Sequence, residues 1–183
     1  MRVVDASALV TLVAGSDQGV RDELGTKLTG HELHVPEHNG AEVLSAIRGL
    51  RLGGKISEAI AIQALADYAA MPLRPHRAAP FFPRAWQLRH AVTAYDALYA
   101  SLAETLDCPL VTCDEKLRAG GHGAEVLVVG LLPRLVGTYN GQARDRGHPW
   151  GVAGDDEAAQ GGRWGSTRRK GLGLQWLRSS GPG

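Results

Sequence analysis

Along residues 1–132 the apolar positions alternate between short β-rich runs and longer stretches with helical spacing. The strand-like runs lie at residues 2–5, 32–36, 71–76, 110–112 and 125–129. The predicted helices lie at residues 6–13, 17–28, 41–52, 57–70, 84–91, 94–106 and 115–119. Strands separated by helices indicate parallel strand–helix–strand units. The pattern therefore predicts a three-layer α/β domain, with a central parallel sheet and helices on both faces.

The breaks between these elements carry ordinary stop and start signals. Pro36 ends the second strand, and Gly53 and Gly54 separate two helices. Ser57 is suitably placed to cap the helix that follows. Residues 74–83 contain three prolines, so an irregular segment is expected before the helix at 84–91. This segment is a candidate for shaping access to a nearby substrate.

Residues 133–183 differ from the rest of the chain in composition. They hold 12 of the 24 glycines and three of the four tryptophans, without any hydrophobic period. Eight Lys and Arg stand against four Asp and Glu here, and three of these cations are consecutive at residues 168–170. Such a segment buries too little apolar area to offset its ordering entropy, so a disordered tail is predicted. A passive extension is the favoured interpretation, and a basic, Trp-containing tail that contacts RNA is the alternative.

Charge and cysteine usage narrow the function classes. Residues 1–132 carry 12 Lys and Arg against 15 Asp and Glu, a net charge of −3, so this part is not a generic basic nucleic-acid binder. An RNA site in it would need local cations to offset its acids. Cys108 and Cys113 point to opposite faces of one strand-like run, which predicts reduced thiols and a reducing compartment. Asp5 interrupts the N-terminal apolar run after two residues and no stretch reaches membrane-spanning length, so a soluble cytoplasmic protein without membrane contact is expected.

Four carboxylates occupy positions where the chain leaves the predicted sheet or enters a helix. Asp5 follows the first strand and Asp114 the fourth, while Glu42 and Asp96 lie in the first turns of two helices. Because ligands of parallel α/β sheets bind beyond the carboxyl ends of the strands, all four side chains are expected in one crevice. Clustered carboxylates raise one another's pKa, and a hard cation such as Mg²⁺ or Mn²⁺ removes that conflict. A metal-activated water at such a site can hydrolyse a phosphodiester bond.

Each of these acids also has a purely structural interpretation as part of a helix cap. The patterns are single N-caps at Asp5 and Asp114, a capping box at Thr93 and Asp96, and a looser pair at Asn39 and Glu42. Capping and metal binding are compatible for a carboxylate in a first turn. Capping alone does not explain one acid at every converging strand exit, so the set of four favours a site.

Four segments in the expected order resemble the motifs of PIN-domain proteins. They are VVDAS at residues 3–7, AEVLSAIR at 41–48, YDALYASLA at 95–103 and LVTCDEKL at 110–117. In size and in the residues of these motifs, this part of the chain is similar to the VapC toxins of bacterial toxin–antitoxin pairs. The resemblance implies a PIN-like nuclease domain over residues 1–132, and it leaves the tail at 133–183 outside the usual length of such toxins.

The resemblance further implies a Mg²⁺- or Mn²⁺-dependent endoribonuclease, with RNA as substrate, a VapB-like antitoxin as inhibitor and a homodimeric assembly. Cleavage would leave 5′-phosphate and 3′-hydroxyl ends. By position, the catalytic metal-site acids would be Asp5, Glu42, Asp96 and Asp114, with Asp5 and Asp96 as direct ligands. Ser7 and Thr112 match supporting hydroxyls beside the first and fourth acids, with ordinary turn chemistry as the alternative. A catalytically silent PIN-like scaffold that binds RNA or antitoxin is the alternative function.

Other kinds of site fit the sequence less well. His31, His34 and His38 have spacings that suit a zinc-binding helix, but residues 32–36 are strand-like, so surface or loop histidines are expected. A receiver-like signalling domain needs an Asp at the end of its central strand and a Lys at the end of its last strand. Residues 71–74 and 128–130 contain neither. Arg89 and His90 precede the third acid and are candidates for substrate or partner contact.

Overall fold

The structure is a computed structural model and describes residues 1–130. The predicted tail at residues 133–183 lies outside the described residues. Five parallel strands form one sheet: β1 (Arg2–Val4), β2 (Leu33–Pro36), β3 (Leu73–His76), β4 (Leu110–Thr112) and β5 (Val126–Val128). The helices are α1 (Ala6–Ala14), α2 (Gln18–Leu28), α3 (Asn39–Leu52), α4 (Glu58–Ala69), α5 (Phe82–Gln87) and α6 (Ala94–Leu106). Short 3-10 turns lie at Ala79–Phe81 and Glu115–Ala119.

The strand order in the sheet is β3-β2-β1-β4-β5. The chain runs outward from β1 to β3 and then crosses to the other side of β1 for β4 and β5. The direction of strand addition therefore reverses between β1 and β4, and ligands of open α/β sheets bind at such a point, beyond the carboxyl ends of the strands. Val4 pairs with Val111 in this register, so Asp5 and Thr112 are the next residues on the two adjacent strands.

Successive residues of the central strands point to opposite faces of the sheet. Val4 and Val111 belong to an apolar cluster that includes buried residues of α1, α2, α3 and α4. Val3 and Leu110 belong to a second cluster with buried residues of α6. Helices therefore cover both faces, and the prediction of a three-layer α/β domain is confirmed.

The proline-containing segment is more regular than expected. Pro80 lies in the first turn of the 3-10 turn at Ala79–Phe81, and Pro83 lies in the first turn of α5. Proline is tolerated there because the N–H groups of a first turn have no partner within the helix. The predicted irregular turn is therefore wrong, and the helix expected at residues 84–91 begins and ends earlier, as Phe82–Gln87.

Several smaller expectations can be compared with the structure. Ser57 caps α4, with its Oγ accepting a hydrogen bond from the Ile60 N–H at 3.3 Å. Cys108 and Cys113 are free thiols. Within residues 1–130, no helix combines the length and apolar character needed to cross a membrane.

The expectation of surface or loop histidines is wrong for His34. This residue is only 5 % exposed, and its Nδ1 lies 2.8 Å from Nε2 of His76. The physical reason is the strand order: β3 pairs with the outer side of β2, so His34 lies on an interior strand.

Candidate active site

Asp5 stands at the carboxyl end of β1 and caps α1. Its side chain is 7 % exposed and accepts a hydrogen bond from the Ser7 N–H at 3.3 Å. The Ser7 hydroxyl also donates to Asp5 Oδ2, and the Thr112 hydroxyl donates to the same oxygen at 2.9 Å. The capping interpretation of Asp5 is thus confirmed, and the carboxylate is at the same time fixed by two hydroxyls beside the point where strand order reverses.

The same two hydroxyls hold the end of β4. Ser7 Oγ accepts a hydrogen bond from the Cys113 N–H at 3.0 Å, and Thr112 Oγ1 accepts one from the Asp114 N–H at 2.9 Å. Ser7 and Thr112 therefore connect the acid after β1 to the backbone that carries the acid after β4. The expectation that these hydroxyls support a carboxylate agrees with this geometry.

Glu42 lies in the first turn of α3 and is held by α6. The Tyr99 hydroxyl donates to Glu42 Oε2 at 2.7 Å, and His38 Nε2 lies 3.3 Å from that oxygen. Tyr99 is fully buried. Burial, with the nearby Asp5 and Glu42 carboxylates, raises the pKa of Tyr99 far above its usual range, so its hydroxyl stays protonated and donates.

The predicted capping pair of Asn39 and Glu42 is wrong. Asn39 is the first residue of α3, two positions before the predicted start, and the N-cap position is His38, which makes no side-chain capping bond. The Asn39 side chain lies in the core instead, where Nδ2 donates to Tyr99 Oη at 2.8 Å and Oδ1 accepts from the Tyr68 hydroxyl at 2.7 Å. Because both the NH₂ group and the oxygen of its amide are bonded to tyrosines, Asn39 is not available to cap the helix.

Asn39 and Tyr99 were not singled out from the sequence as functional residues. A usable signal existed in their spacing from the acids: Asn39 precedes Glu42 by three residues, and Tyr99 follows Asp96 by three. Residues three apart share one face of a helix. Polar side chains one turn from a predicted ligand are therefore candidates for supporting it.

Asp96 and Asp114 are each held at the start of a helical turn. The Asp96 N–H donates to Thr93 Oγ1 at 3.2 Å, and the Thr93 hydroxyl donates to Asp96 Oδ2 at 2.7 Å, so the capping pair predicted there is confirmed. Asp114 caps the turn at Glu115–Ala119, with Oδ1 accepting from the Lys116 N–H at 3.0 Å. Capping fixes both carboxylates without excluding a second role.

Burial and neighbouring carboxylates raise the pKa values of two of the four acids, Asp5 and Asp96. Burial raises the pKa of Asp5 to about 6, the Asp96 and Glu42 carboxylates act in the same direction, and hydroxyl hydrogen bonds oppose them. Burial also raises the pKa of Asp96, and Asp114 and Glu42 add to this effect. Within residues 1–130, no ion pair includes Asp5, Asp96 or Asp114. The cluster therefore carries negative charge that the described part of the chain does not neutralise.

Each of the four carboxylates has one oxygen held by the protein and one left over. The held oxygens are Asp5 Oδ2, Glu42 Oε2, Asp96 Oδ2 and Asp114 Oδ1. As far as the described residues go, the second oxygen of each acid accepts no hydrogen bond. Hard divalent cations take carboxylate oxygens and water as ligands, so this donor set fits Mg²⁺ or Mn²⁺.

The acids are not arranged as a finished metal cage. Among residues 1–130, no three His, Cys, Asp or Glu side chains are grouped closely enough to hold an ion as they stand. An ion bound here would keep several water ligands, as Mg²⁺ usually does. Asp96 and Asp114 line an open groove of about 310 Å³ together with Arg89, His90 and Lys116, whereas Asp5 and Glu42 lie outside this lining.

Comparisons with known proteins agree with this architecture. Residues 2–122 match the model of the PIN domain family. Ribonuclease VapC12 of Mycobacterium tuberculosis is 37 % identical over 130 residues, which cover 70 % of this chain and 99 % of that protein.

Two solved structures share the fold at low sequence identity. The sarcin-ricin-loop-cleaving toxin VapC20 of Mycobacterium tuberculosis has a TM-score of 0.52 and 18 % identity, over 67 % of this chain and 96 % of that one. VapBC2 of Rickettsia felis has a TM-score of 0.53 and 14 % identity, over 70 % and 98 %. The match to the family model and the identity to VapC12 show that the chain belongs to the PIN-domain family and, within it, to the VapC ribonucleases.

Proposed function

We propose that this VapC-family ribonuclease hydrolyses RNA phosphodiester bonds at the crevice between the ends of β1 and β4, with Mg²⁺ or Mn²⁺ as cofactor. The observation that carries this proposal is the set of four carboxylates, each with one oxygen fixed and one without a hydrogen bond from residues 1–130. A helix cap uses one carboxylate oxygen. It does not account for the charge of Asp5, Asp96 and Asp114, which form no ion pair within residues 1–130.

Asp5 and Asp96 would hold the ion directly, and Glu42 and Asp114 would complete its surroundings through water or a second ion. A bound divalent cation supplies an activated water and offsets the charge that develops on the phosphate oxygens. The protein's own contribution is preorganisation, because hydroxyl groups already fix three of the four carboxylates. The raised pKa values of Asp5 and Asp96 fit a cluster that a cation would stabilise.

RNA as the substrate is supported by the cations beside the acids. Arg89 and Lys116 line the groove that contains Asp96 and Asp114. A domain of net negative charge needs local positive charge to bind a phosphate backbone, and these two cations provide it. Trp86 is 69 % exposed, and the Arg89 guanidinium lies 5.1 Å from the centre of its ring, which provides a surface for stacking an unpaired base.

Replacing Arg89 or Lys116 with glutamine is expected to weaken RNA binding and its dependence on salt. Each lost phosphate contact on a single strand makes the negative slope of log K against log [salt] shallower by about 0.7. The slope can be measured by fluorescence anisotropy with the Asp5→Asn variant, so that RNA is not consumed. Lys27→Gln, a cation change on α2, is the matched control. Slopes equal to the parent for both groove variants would exclude these residues as phosphate contacts.

The direct test of the proposed function is RNA end mapping with the purified chain. Incubation with total RNA and Mn²⁺ or Mg²⁺ should give internal cuts with 5′-phosphate and 3′-hydroxyl ends, and excess EDTA should abolish them. Protein that binds RNA but makes no cuts with either ion would favour the silent scaffold instead.

Replacing Thr112 with valine is expected to reduce cleavage about 10-fold, since residues that orient metal ligands commonly have effects of 10- to 100-fold. Valine keeps the shape but removes the hydroxyl that donates to Asp5 and accepts from the Asp114 N–H. Thr112→Ser retains a hydroxyl and should restore most of the activity. Equal single-turnover rates for the wild type and Thr112→Val would contradict a supporting role.

A VapB-like antitoxin is the proposed protein partner, and homodimerisation the proposed assembly. Four large apolar side chains on α3 and α4 remain exposed, which suits a protein interface: Leu44, Leu52, Ile60 and Ile62. Equimolar antitoxin from a neighbouring reading frame should suppress cleavage, and analytical ultracentrifugation of the chain alone should give twice the monomer mass.

A further inference from the structure

Four polar side chains from three helices form a continuous hydrogen-bond chain that ends at a site acid. The Tyr68 hydroxyl on α4 donates to Asn39 Oδ1 at 2.7 Å, and Asn39 Nδ2 on α3 donates to Tyr99 Oη at 2.8 Å. The Tyr99 hydroxyl on α6 donates in turn to Glu42 Oε2 at 2.7 Å. Asn39 and Tyr99 are both fully buried. Every bond of the chain therefore points the same way, toward Glu42.

The direction of this chain follows from the chemistry of its members. Asn39 Oδ1 accepts from Tyr68, which turns the amide NH₂ toward Tyr99. A tyrosine hydroxyl has one hydrogen and accepts with its lone pairs. Since the amide already donates to Tyr99 Oη, the only hydrogen on that oxygen is directed to Glu42. Hydrogen bonds in such a buried series polarise and strengthen one another.

A buried chain of this kind restricts the carboxylate that it ends on. Glu42 is a long, flexible side chain in the first turn of α3. Holding it in one conformation costs the conformational entropy of several rotatable bonds. Both Tyr99 and His38 approach Oε2. Oε1 is the oxygen that no hydrogen bond from residues 1–130 occupies, so it is the one available as a ligand.

We propose that Tyr99, with Asn39 and Tyr68 behind it, is a positioning residue that fixes Glu42 Oε2 and so presents Oε1 to the cation. This inference rests on the proposed function, because it assigns the tyrosine a purpose at the same metal-dependent site. Tyr99 is not a catalytic residue in this account. It acts only through the carboxylate of Glu42.

Tyr99→Phe removes one hydroxyl from the chain and keeps the buried ring. We expect the dissociation constant for Mn²⁺, measured with the full chain by electron paramagnetic resonance of the free ion, to rise about 10-fold, the lower end for residues that orient metal ligands. The rate constant for cleavage should fall by a similar factor while KM for RNA stays unchanged, since the groove cations are untouched. Tyr68→Phe, two bonds further away, should have a smaller effect in the same direction.

Ser101→Ala is the matched control for loss of a buried hydroxyl from α6. The Ser101 hydroxyl is fully buried and donates to Ala97 O at 2.6 Å, with no connection to Glu42. This variant should leave Mn²⁺ affinity at the wild-type value even where it lowers thermal stability. A 10-fold loss of affinity in Ser101→Ala would mean that any cavity in α6 has this effect, and would overturn the inference.

A double-mutant cycle with Glu42→Ala tests whether the tyrosines act through Glu42. The three remaining carboxylates should keep Mn²⁺ binding measurable, and Tyr99→Phe should then have no further effect. An undiminished effect in that background would overturn the inference. If Tyr99→Phe does not fold, Tyr68→Phe serves in the same cycle, with the same two outcomes.

The affinity comparison involves no RNA, which separates this inference from the proposed function. Wild-type protein that binds Mn²⁺ tightly but cuts no RNA would contradict the nuclease proposal and leave the role of Tyr99 in ion binding supported by the cycle. Wild-type protein that cuts RNA while Tyr99→Phe retains full Mn²⁺ affinity would overturn the positioning role alone. Wild-type protein without affinity for Mn²⁺ would overturn both.

Discussion

Asp5→Asn and Asp96→Asn are each expected to reduce RNA cleavage by about 100-fold or more, because placement of a divalent cation contributes several kcal/mol to barrier reduction. Asparagine keeps the size of the side chain and its cap acceptor, but it removes the negative charge and one potential ligand oxygen. Asp5 already has Oδ2 occupied by two hydroxyls, so its second oxygen is the one that matters. The measurement is the single-turnover rate at saturating Mn²⁺.

The matched control is Asp67→Asn on the exposed face of α4. Asp67 accepts a hydrogen bond from Gln63 and lies outside the group of four acids. It should cleave RNA at the wild-type rate. Cleavage by Asp5→Asn or Asp96→Asn within a factor of a few of the wild type would remove that residue from the site, provided each variant has the wild-type circular dichroism spectrum.

In the absence of divalent ions, Asp5→Asn is expected to be more stable than the wild type by about 3 kcal/mol at pH 8. Burial and neighbouring carboxylates raise the pKa of Asp5 from 3.8 to about 6 in the folded state. A difference of about two pKa units between folded and unfolded states corresponds to about 3 kcal/mol. The variant is therefore expected to gain stability by the same change that is expected to reduce cleavage, as is common for residues retained for function.

The pH dependence of this difference gives the sharper measurement. Below pH 3.8 Asp5 is protonated in both states and contributes no penalty. As pH rises from 3.8 to about 6 the unfolded state releases this proton while the folded state keeps it, so wild-type stability declines relative to Asp5→Asn; above about pH 6 the difference stays constant. Urea unfolding of both proteins in EDTA between pH 4 and pH 8 should give a difference in unfolding free energy that widens up to about pH 6 and then stays constant.

Two results would count against this account of Asp5. A gap that stays constant across the pH range would mean that the carboxylate titrates alike in the folded and unfolded states. A gap that narrows with rising pH would mean that the folded state favours the charged form.

Addition of Mg²⁺ or Mn²⁺ at pH 8 should raise the melting temperature of the wild type more than that of Asp5→Asn, because ligand binding stabilises the folded state.

The four acids could be proposed from the sequence because their positions follow from local patterns. Asp5 and Asp114 directly follow β-rich runs, and Glu42 and Asp96 lie within the first turns of helices with clear apolar spacing. Parallel strands bring such positions to one edge of a sheet. The helix cap at Ser57 and the capping pair at Thr93 and Asp96 were predictable for the same reason, since a cap depends only on neighbours within one turn.

The errors arose where a distant part of the chain decides the environment. Asn39 looks like a cap from its neighbours, but Tyr68 and Tyr99 bury it. His34 looks exposed on a short polar-flanked strand, but pairing with β3 covers it. In both cases the deciding contacts are between residues dozens of positions apart, and hydrophobic periodicity carries no information about them.

By itself, the sequence determined the type and order of the elements, the residues that leave each strand, and the chemical kind of site that carboxylates at those exits favour. Only the tertiary structure decided that β4 lies beside β1, which brings Thr112 against Asp5. It also decided which oxygen of each acid is held. The reason is physical: local patterns act within one helical turn or strand, whereas strand order and buried hydrogen bonds depend on how the whole chain packs.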